Sequence, residues 1–179
     1  MAYALGIDAS PRGGGRTATA LHAILEAARG GEDAEVVSLA DVDVPTACEQ
    51  IERASIVIFG TPTYRASYTW TMKALLDGLP RGMWGEDRDP LRGKAVGIVA
   101  TGATLHHFLA LDELRNVLVG FFAAHVLPPG LYVPQDGFAE DGSLVAPYDD
   151  AARAQGAGLR ALAEALAASE RLRAIRPHA

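Results

Sequence analysis

Apolar positions occur along this chain in two alternating patterns. Tyr3–Ala9, Ser55–Thr61 and Lys94–Thr101 are short, largely apolar runs, and the more polar Ala34–Leu39 reads as a further strand. Runs of this kind predict strands buried on both faces. Between them the spacing turns helical. Ala20, Leu21, Ile24, Leu25 and Ala28 fall on one face of a segment starting at Thr17 and closed by Arg29-Gly30-Gly31. "SYTWTMKALLDGLP", residues 67–80, predicts a helix stopped by Gly78 and Pro80. Leu111, Leu114, Val117, Leu118 and Phe121 form a third apolar stripe, and Leu159, Leu162, Ala163 and Leu166 a last one. "HVLPPGLYV", residues 125–133, reads as a strand carrying two prolines, which a sheet accepts only at an edge or a bulge. The closing "RLRAIRPHA", residues 171–179, is expected to be a flexible tail.

Strands alternating with helices imply an α/β fold with right-handed crossovers. Five strands fit a single flavodoxin-like domain over residues 1–179, a doubly wound parallel sheet of order 2-1-3-4-5 in three α/β/α layers. That order puts the proline-bearing strand at an edge. In such sheets ligands bind beyond the carboxyl ends of the strands, where the strand order reverses. The loops to weigh for function are therefore Ser10–Arg16, Pro62–Ser67 and Thr101–His107.

Composition narrows the choice of ligand. The 179 residues are 49% hydrophobic and 21% charged, the balance of an ordinary globular domain. A net charge of −6 argues against a surface built for nucleic acid. Cys48 is the only cysteine, so no internal disulfide can form. "MAYALGIDASPR" lacks a basic flank followed by a long apolar stretch, and no apolar run is long enough to span a bilayer. The expectation is a soluble cytoplasmic protein with no membrane partner.

"GIDASPRGGGRTATAL", residues 6–21, is the most informative segment. Gly13–Ala18 formally satisfies a G-x-G-x-x-A dinucleotide pattern, but Ser10-Pro11-Arg12 comes first and lengthens the loop beyond a dinucleotide turn. A longer, rounder loop at a helix start suits one terminal phosphate, held by backbone N–H groups and the helix dipole. Ser10 and Thr17 add hydroxyls, and Arg12 and Arg16 add charge-assisted donors. No Gly-Lys-Ser/Thr follows, which excludes a P-loop.

These segments resemble those of the NAD(P)H-dependent FMN reductase family. "SPRGGGRT" is similar to its FMN-phosphate loop, "TPTYRASYTWTMKALLDGLP" to its second motif, and "VATGATLHHFLALD" to its third. The likeness runs to about Asp136 and is closest to the alkanesulfonate- and methanesulfonate-linked reductases. It implies an enzyme that passes hydride from NAD(P)H to FMN and supplies reduced flavin to a partner monooxygenase. It implies an FMN phosphate held by Ser10, Arg12, Gly15, Arg16 and Thr17. It also implies an isoalloxazine ring cradled by Pro62, Thr63, Tyr64, Arg65 and Ser67 on one side and Thr101, Gly102 and Ala103 on the other. The cofactor carries the chemistry, so no side chain is assigned as acid or base. Two rival readings share the fold: a reductase of quinones, azo dyes or metal oxyanions that retains its FMN, and an electron carrier without dehydrogenase activity.

The chain departs from the family pattern at several points. Gly15 stands where a second serine is frequent, and Trp70 and Ala103 where glycine is common. Trp70 is expected beside the open face of the flavin or at a subunit contact. The helix after Asp112 is about one residue short of the sulfonate-linked members, whose extra residue forms a π-turn. By that count the π-turn is expected to be missing, and if it is absent the flavin is held more like a prosthetic group than a passing substrate. Tyr68, Trp70, Met72, Leu75, Leu76 and Leu79 exceed what one buried helix face needs, which predicts a homodimer or homotetramer.

Other constellations carry less. His106 and His107 are adjacent and point about 100° apart on a helix, unlike a chelating i, i+4 pair. Ser10, His106 and Asp112 lack the G-x-S-x-G elbow of a hydrolase. Cys48 reads as a packed thiol, and Gly85–Asp89 as a solvated loop.

Overall fold

The computed structural model describes residues 3–178. Its sheet is built from β1 (Ala4–Asp8), β2 (Ala34–Ser38), β3 (Ile56–Pro62), β4 (Ala95–Thr101), β5 (His125–Val126) and β6 (Leu131–Val133), all paired in parallel. The order is β2-β1-β3-β4-β5, with β6 also on β4. The flavodoxin-like α/β/α topology is the one the hydrophobic pattern predicts.

One correction concerns the far edge. The expected fifth strand is two strands, because Pro128 and Pro129 interrupt the ladder between Val126 and Leu131. A proline has no N–H to give to a neighbouring strand. The two pieces still share β4, with Val96 opposite Val126 and Ala100 opposite Tyr132.

Strand alternation divides the core into two layers. Leu5, Ile7, Val57, Phe59, Val96 and Ile98 face α2 (Val44–Arg53), α3 (Trp70–Gly78) and α4 (Ala110–Asn116). Ala4, Ile56, Ile58, Ala95 and Val99 face α1 (Gly15–Arg29) and α5 (Ala146–Ala168). Asp43 caps α2 by accepting the Thr46 N–H at 2.9 Å, and Pro45 sits in its first turn.

Two helical segments differ from expectation. The stripe ending at Phe121 contains a π-turn, Val117–Phe121, in which the Phe122 N–H reaches the Val117 carbonyl at 3.2 Å. The π-turn expected to be missing is present, so the ground for a prosthetic flavin falls with it. Leu118 and Phe122, at the two ends of this turn, are both buried in the core. Residues 171–173, expected to open a flexible tail, lie in a short helix α6 (Glu170–Arg173). Ser169 caps it, Arg173 donates to the Leu166 carbonyl at 2.8 Å, and the His125 imidazole lies 2.9 Å from the Leu172 carbonyl.

Candidate active site

All three expected loops meet beyond the carboxyl ends of β1, β3 and β4. They surround a cleft of about 480 Å³, within the range of small-ligand sites. Ser10, Arg12, Arg16, Thr17, Pro62, Thr63, Tyr64, Thr101, Gly102 and Ala103 all line it.

The first loop owes its shape to Gly13, Gly14 and Gly15, which take φ values of +66°, +66° and +71° in succession. Side chains disfavour that region, so three glycines let the chain turn from β1 into α1 without strain. A Ser10 carbonyl to Gly13 N–H bond of 3.0 Å closes the turn. Asp8, the last residue of β1, anchors it from beneath. Its Oδ1 accepts the Ser10 N–H at 2.9 Å and the Ser10 hydroxyl at 2.6 Å. Burial raises the Asp8 carboxyl above the usual carboxylate range, against the pull of the Ser10 bonds. Arg12 and Arg16 are exposed on the loop, and neither forms an ion pair among the described residues.

A buried hydroxyl network joins the first loop to the second. Thr69 caps α3 and also donates to the Ala9 carbonyl at 2.8 Å, and Thr71 donates to the same carbonyl at 2.6 Å. Tyr64 and Ser67 exchange backbone hydrogen bonds of 2.9 and 3.2 Å around Arg65 and Ala66, whose φ values are +53° and +66°. Two non-glycine residues held there store strain, which persists where the surroundings over-determine the turn. This turn delays the helix expected from about Tyr68 until Trp70.

The third loop is fixed by close packing. A Cβ at Gly102 would land on the Tyr132 hydroxyl, so only glycine fits. That hydroxyl in turn donates to the Thr104 carbonyl at 2.8 Å. Thr17 Oγ1 and Thr101 Oγ1 lie 2.9 Å apart. The pair consumes one of its two hydroxyl hydrogens and keeps the other available. Thr63 Oγ1 is buried at the cleft with no partner, a polar atom in want of a ligand.

Some expected residues stand apart from the walls. Gly15 begins α1 just outside the lining, Arg65 occupies the exposed tip of its turn, and Ser67 turns away to hydrogen-bond Glu113. Trp70 does not line the cleft either. Met72, Leu75 and Leu76 take α3 to the core, which leaves the Trp70 ring 70% exposed on the outer side. Sequence reasoning misses Gln135, which follows β6 and lines the cleft, and Asp8 beneath the loop. Gln135 is signalled only by its place beyond the carboxyl end of a strand.

A glycine loop at a helix start and two further loops thus enclose one cleft at the switch point of a doubly wound sheet. The sequence pattern of the NADPH-dependent FMN reductase family matches residues 3–137, and the chain belongs to that family. It is 38% identical over 99 residues to the NADH-dependent FMN reductase SfnF of Pseudomonas putida, covering 55% of this chain and 50% of that one. To an FMN reductase (NADPH) of Escherichia coli strain K12 it is 40% identical over 83 residues, 46% of this chain and 40% of that one. The chain thus spans about half the length, or less, of these curated relatives. Among solved structures, the apo NADH:FMN oxidoreductase EMOB superposes with a TM-score of 0.75 at 22% identity, over 97% of this chain and 94% of that one. A WrbA-like flavodoxin from Agrobacterium tumefaciens superposes with a TM-score of 0.69 at 19% identity, over 92% and 99%. Both share the fold.

Proposed function

We propose that this chain is an NAD(P)H-dependent FMN reductase that takes FMN as a substrate and hands on reduced flavin. The observation that carries the reading is the cleft itself: a glycine loop with two arginines that form no ion pair among the described residues at one end, and the Thr101–Ala103 turn at the other. The residues present fit FMN, because the buried Thr63 hydroxyl at the cleft has no hydrogen-bond partner among the described residues, and Thr101, Gly102 and Ala103 line the same cleft with little side-chain bulk. Arg12, Arg16, Ser10, Thr17 and the Gly15 N–H hold the phosphate. Pro62, Thr63, Tyr64 and Thr101–Ala103 hold the ring, while Arg65 and Ser67 serve by shaping the turn. Bound FMN supplies the hydride-accepting chemistry, and the protein's part is to orient it against the nicotinamide.

Release of FMN as a product, rather than its retention, accords with the π-turn at Val117–Phe121, since retention rested on that turn being absent. The receiver is then a flavin-dependent monooxygenase, by analogy with the sulfonate-linked reductases. The protein works in the cytoplasm as a homodimer or homotetramer; among the described residues no helix is long and apolar enough to cross a membrane.

Anaerobic absorbance titration with NADH and with NADPH tests the reading. FMN should bleach with at least one nucleotide, turn over at saturating levels, and be lost on desalting. A chain that binds FMN but leaves it oxidised under both nucleotides is a carrier, and the proposal is wrong.

A further inference from the structure

Asp8 is fully buried, yet it is a carboxylate beneath a loop that we read as an anion site. Both bonds from Ser10 end on one of its oxygens, while Oδ2 has no hydrogen-bond partner. Few of its surroundings can offset a negative charge. Across the sheet its register partners are Ser38 on β2 and Gly60 on β3, neither ionisable. The Gly14 N–H favours the charged carboxylate, and Asp41, just past β2, opposes it to a smaller degree with charge of the same sign. From α1 comes Thr17, and α3 contributes the uncharged Thr69 and Thr71 to the adjoining Ala9 carbonyl. The cations of this region are Arg12 and Arg16, both exposed on the loop where they line the cleft.

A serine hydroxyl has a single hydrogen. At 2.6 Å from an ionised carboxylate, the Ser10 hydrogen is committed to Asp8. What Ser10 presents to the cleft is then a pair of acceptor lone pairs, which repel a phosphate dianion. Two arrangements remove the conflict while keeping the bond between Ser10 Oγ and the buried Asp8 carboxyl, which would otherwise lose its shortest hydrogen bond. The phosphate can enter as the monoanion and donate its own P–OH to Ser10. Alternatively, Asp8 can take a proton, donate it to Ser10 Oγ, and release the Ser10 hydrogen to the phosphate. Each brings in one proton.

We infer that Asp8 is a positioning residue that makes capture of the flavin phosphate proton-linked, with one proton taken up per phosphate bound. The inference rests on the proposed reading of the loop as the FMN phosphate site. A phosphomonoester loses its second proton near about pH 6, so at neutral pH and above free FMN arrives as the dianion. One proton taken up lowers affinity up to about tenfold for each pH unit of increase, by linkage.

Binding of FMN and of riboflavin is measured by calorimetry between about pH 7 and about pH 8.5, in phosphate-free buffers that differ in heat of ionisation. FMN should weaken by up to about tenfold per pH unit and take up close to one proton, while riboflavin shows neither effect. Asp8→Asn carries no charge and leaves the Ser10 hydroxyl freer to turn. It should bind FMN more tightly at the upper end of the range, with the pH dependence flattened. FMN that outbinds riboflavin yet takes up no proton overturns the inference and leaves the phosphate site standing. So does an Asp8→Asn protein that keeps the wild-type slope. Should that variant not fold, the wild-type proton count decides alone. Riboflavin binding as tightly as FMN would instead overturn the phosphate reading, and this inference with it.

Discussion

Thr17 Oγ1 and Thr101 Oγ1 are buried 2.9 Å apart, although 84 positions separate them in the chain. The contact ties the start of α1 to the end of β4, and so sets the glycine loop against the turn at Thr101–Ala103. Thr101→Val would leave the Thr17 hydroxyl buried without this partner, which costs about 1–3 kcal/mol. The double variant Thr17→Val, Thr101→Val should cost less than the two single changes summed, because it leaves no orphaned hydroxyl. Urea midpoints of the three variants check this. Strict additivity would show that the two hydroxyls are not coupled.

On the proposed reading, the glycine loop should distinguish two ligands that differ by one phosphate group. Losing a charge-assisted contact at Arg12 or Arg16 costs about 1.5–3 kcal/mol, tenfold or more in affinity. Arg12→Ala should therefore weaken FMN by at least about tenfold while riboflavin changes little. Arg16 also lies 5.9 Å from the centre of the Phe138 ring. Its replacement should thus weaken FMN and slightly loosen the segment after β6. Fluorescence titration with both flavins measures the first effect. Equal weakening of the two would remove the arginines from the phosphate.

What was legible in the sequence follows from how each element is buried. β1, β3 and β4 are covered by helices on both faces, so their apolar runs are unbroken and their ends easily found. The three loops at those ends could be named for the same reason. α2 was not legible, because it buries only Ala47, Cys48 and Ile51 and leaves no sustained stripe. The apolar surplus assigned to α3 was mostly core: Met72, Leu75, Leu76 and Leu79 are buried, and Trp70 alone is left well exposed. Asp8 could not be understood locally. An acid inside an apolar strand signals something, but its partner becomes apparent only once the loop folds back and Ser10 sits over it. The π-turn is hidden for a related reason. It changes which carbonyl each N–H meets without altering the apolar stripe enough to be read.

Lys94 should impose a pH dependence on stability. Its ammonium donates to the Glu52 carbonyl at 2.8 Å and to the Ala54 carbonyl, at the end of α2. Burial pushes it down to about 8 from 10.5, with the nearby Glu52 charge pulling the other way. Below about pH 8 both folded and unfolded chains carry this proton, and the cost of burying the charge is fully present. Between about 8 and 10.5 the unfolded chain still holds a proton that the folded one has shed, so this group's contribution to stability rises with pH. Above that window Tyr3, whose phenol is raised chiefly by burial, acts in the opposite sense. The difference between wild type and Lys94→Met isolates the lysine. Urea midpoints should show the wild type gaining relative to the variant on passing from about pH 8 to about pH 10. A constant difference would mean the lysine keeps its ordinary value.

Association can be separated from flavin binding, because the exposed aromatic rings lie off the cleft. Trp70 is 70% exposed, Trp84 78% and Phe121 46%. The Arg81 guanidinium lies between the last two rings, 4.4 Å from the Trp84 centre and 3.9 Å from the Phe121 centre, and donates to the Phe121 carbonyl at 3.1 Å. Arg81 itself is buried, so this stack holds two rings outward on a fixed base beside the π-turn. Large apolar rings presented to water in this way would supply the contact surface of the proposed homo-oligomer. The wild type should sediment as a dimer or tetramer at micromolar concentration, and a monomer there would refute the oligomer. Trp70→Ala and Trp84→Ala should shift the protein toward smaller species while FMN affinity stays within about twofold, since neither ring touches the cleft wall. Steady-state kinetics with a small and a bulky acceptor complete the test on the same samples. If Trp70→Ala keeps its mass but changes the ratio of the two rates, the tryptophan gates access to the flavin instead, from a position it reaches only when the site is occupied.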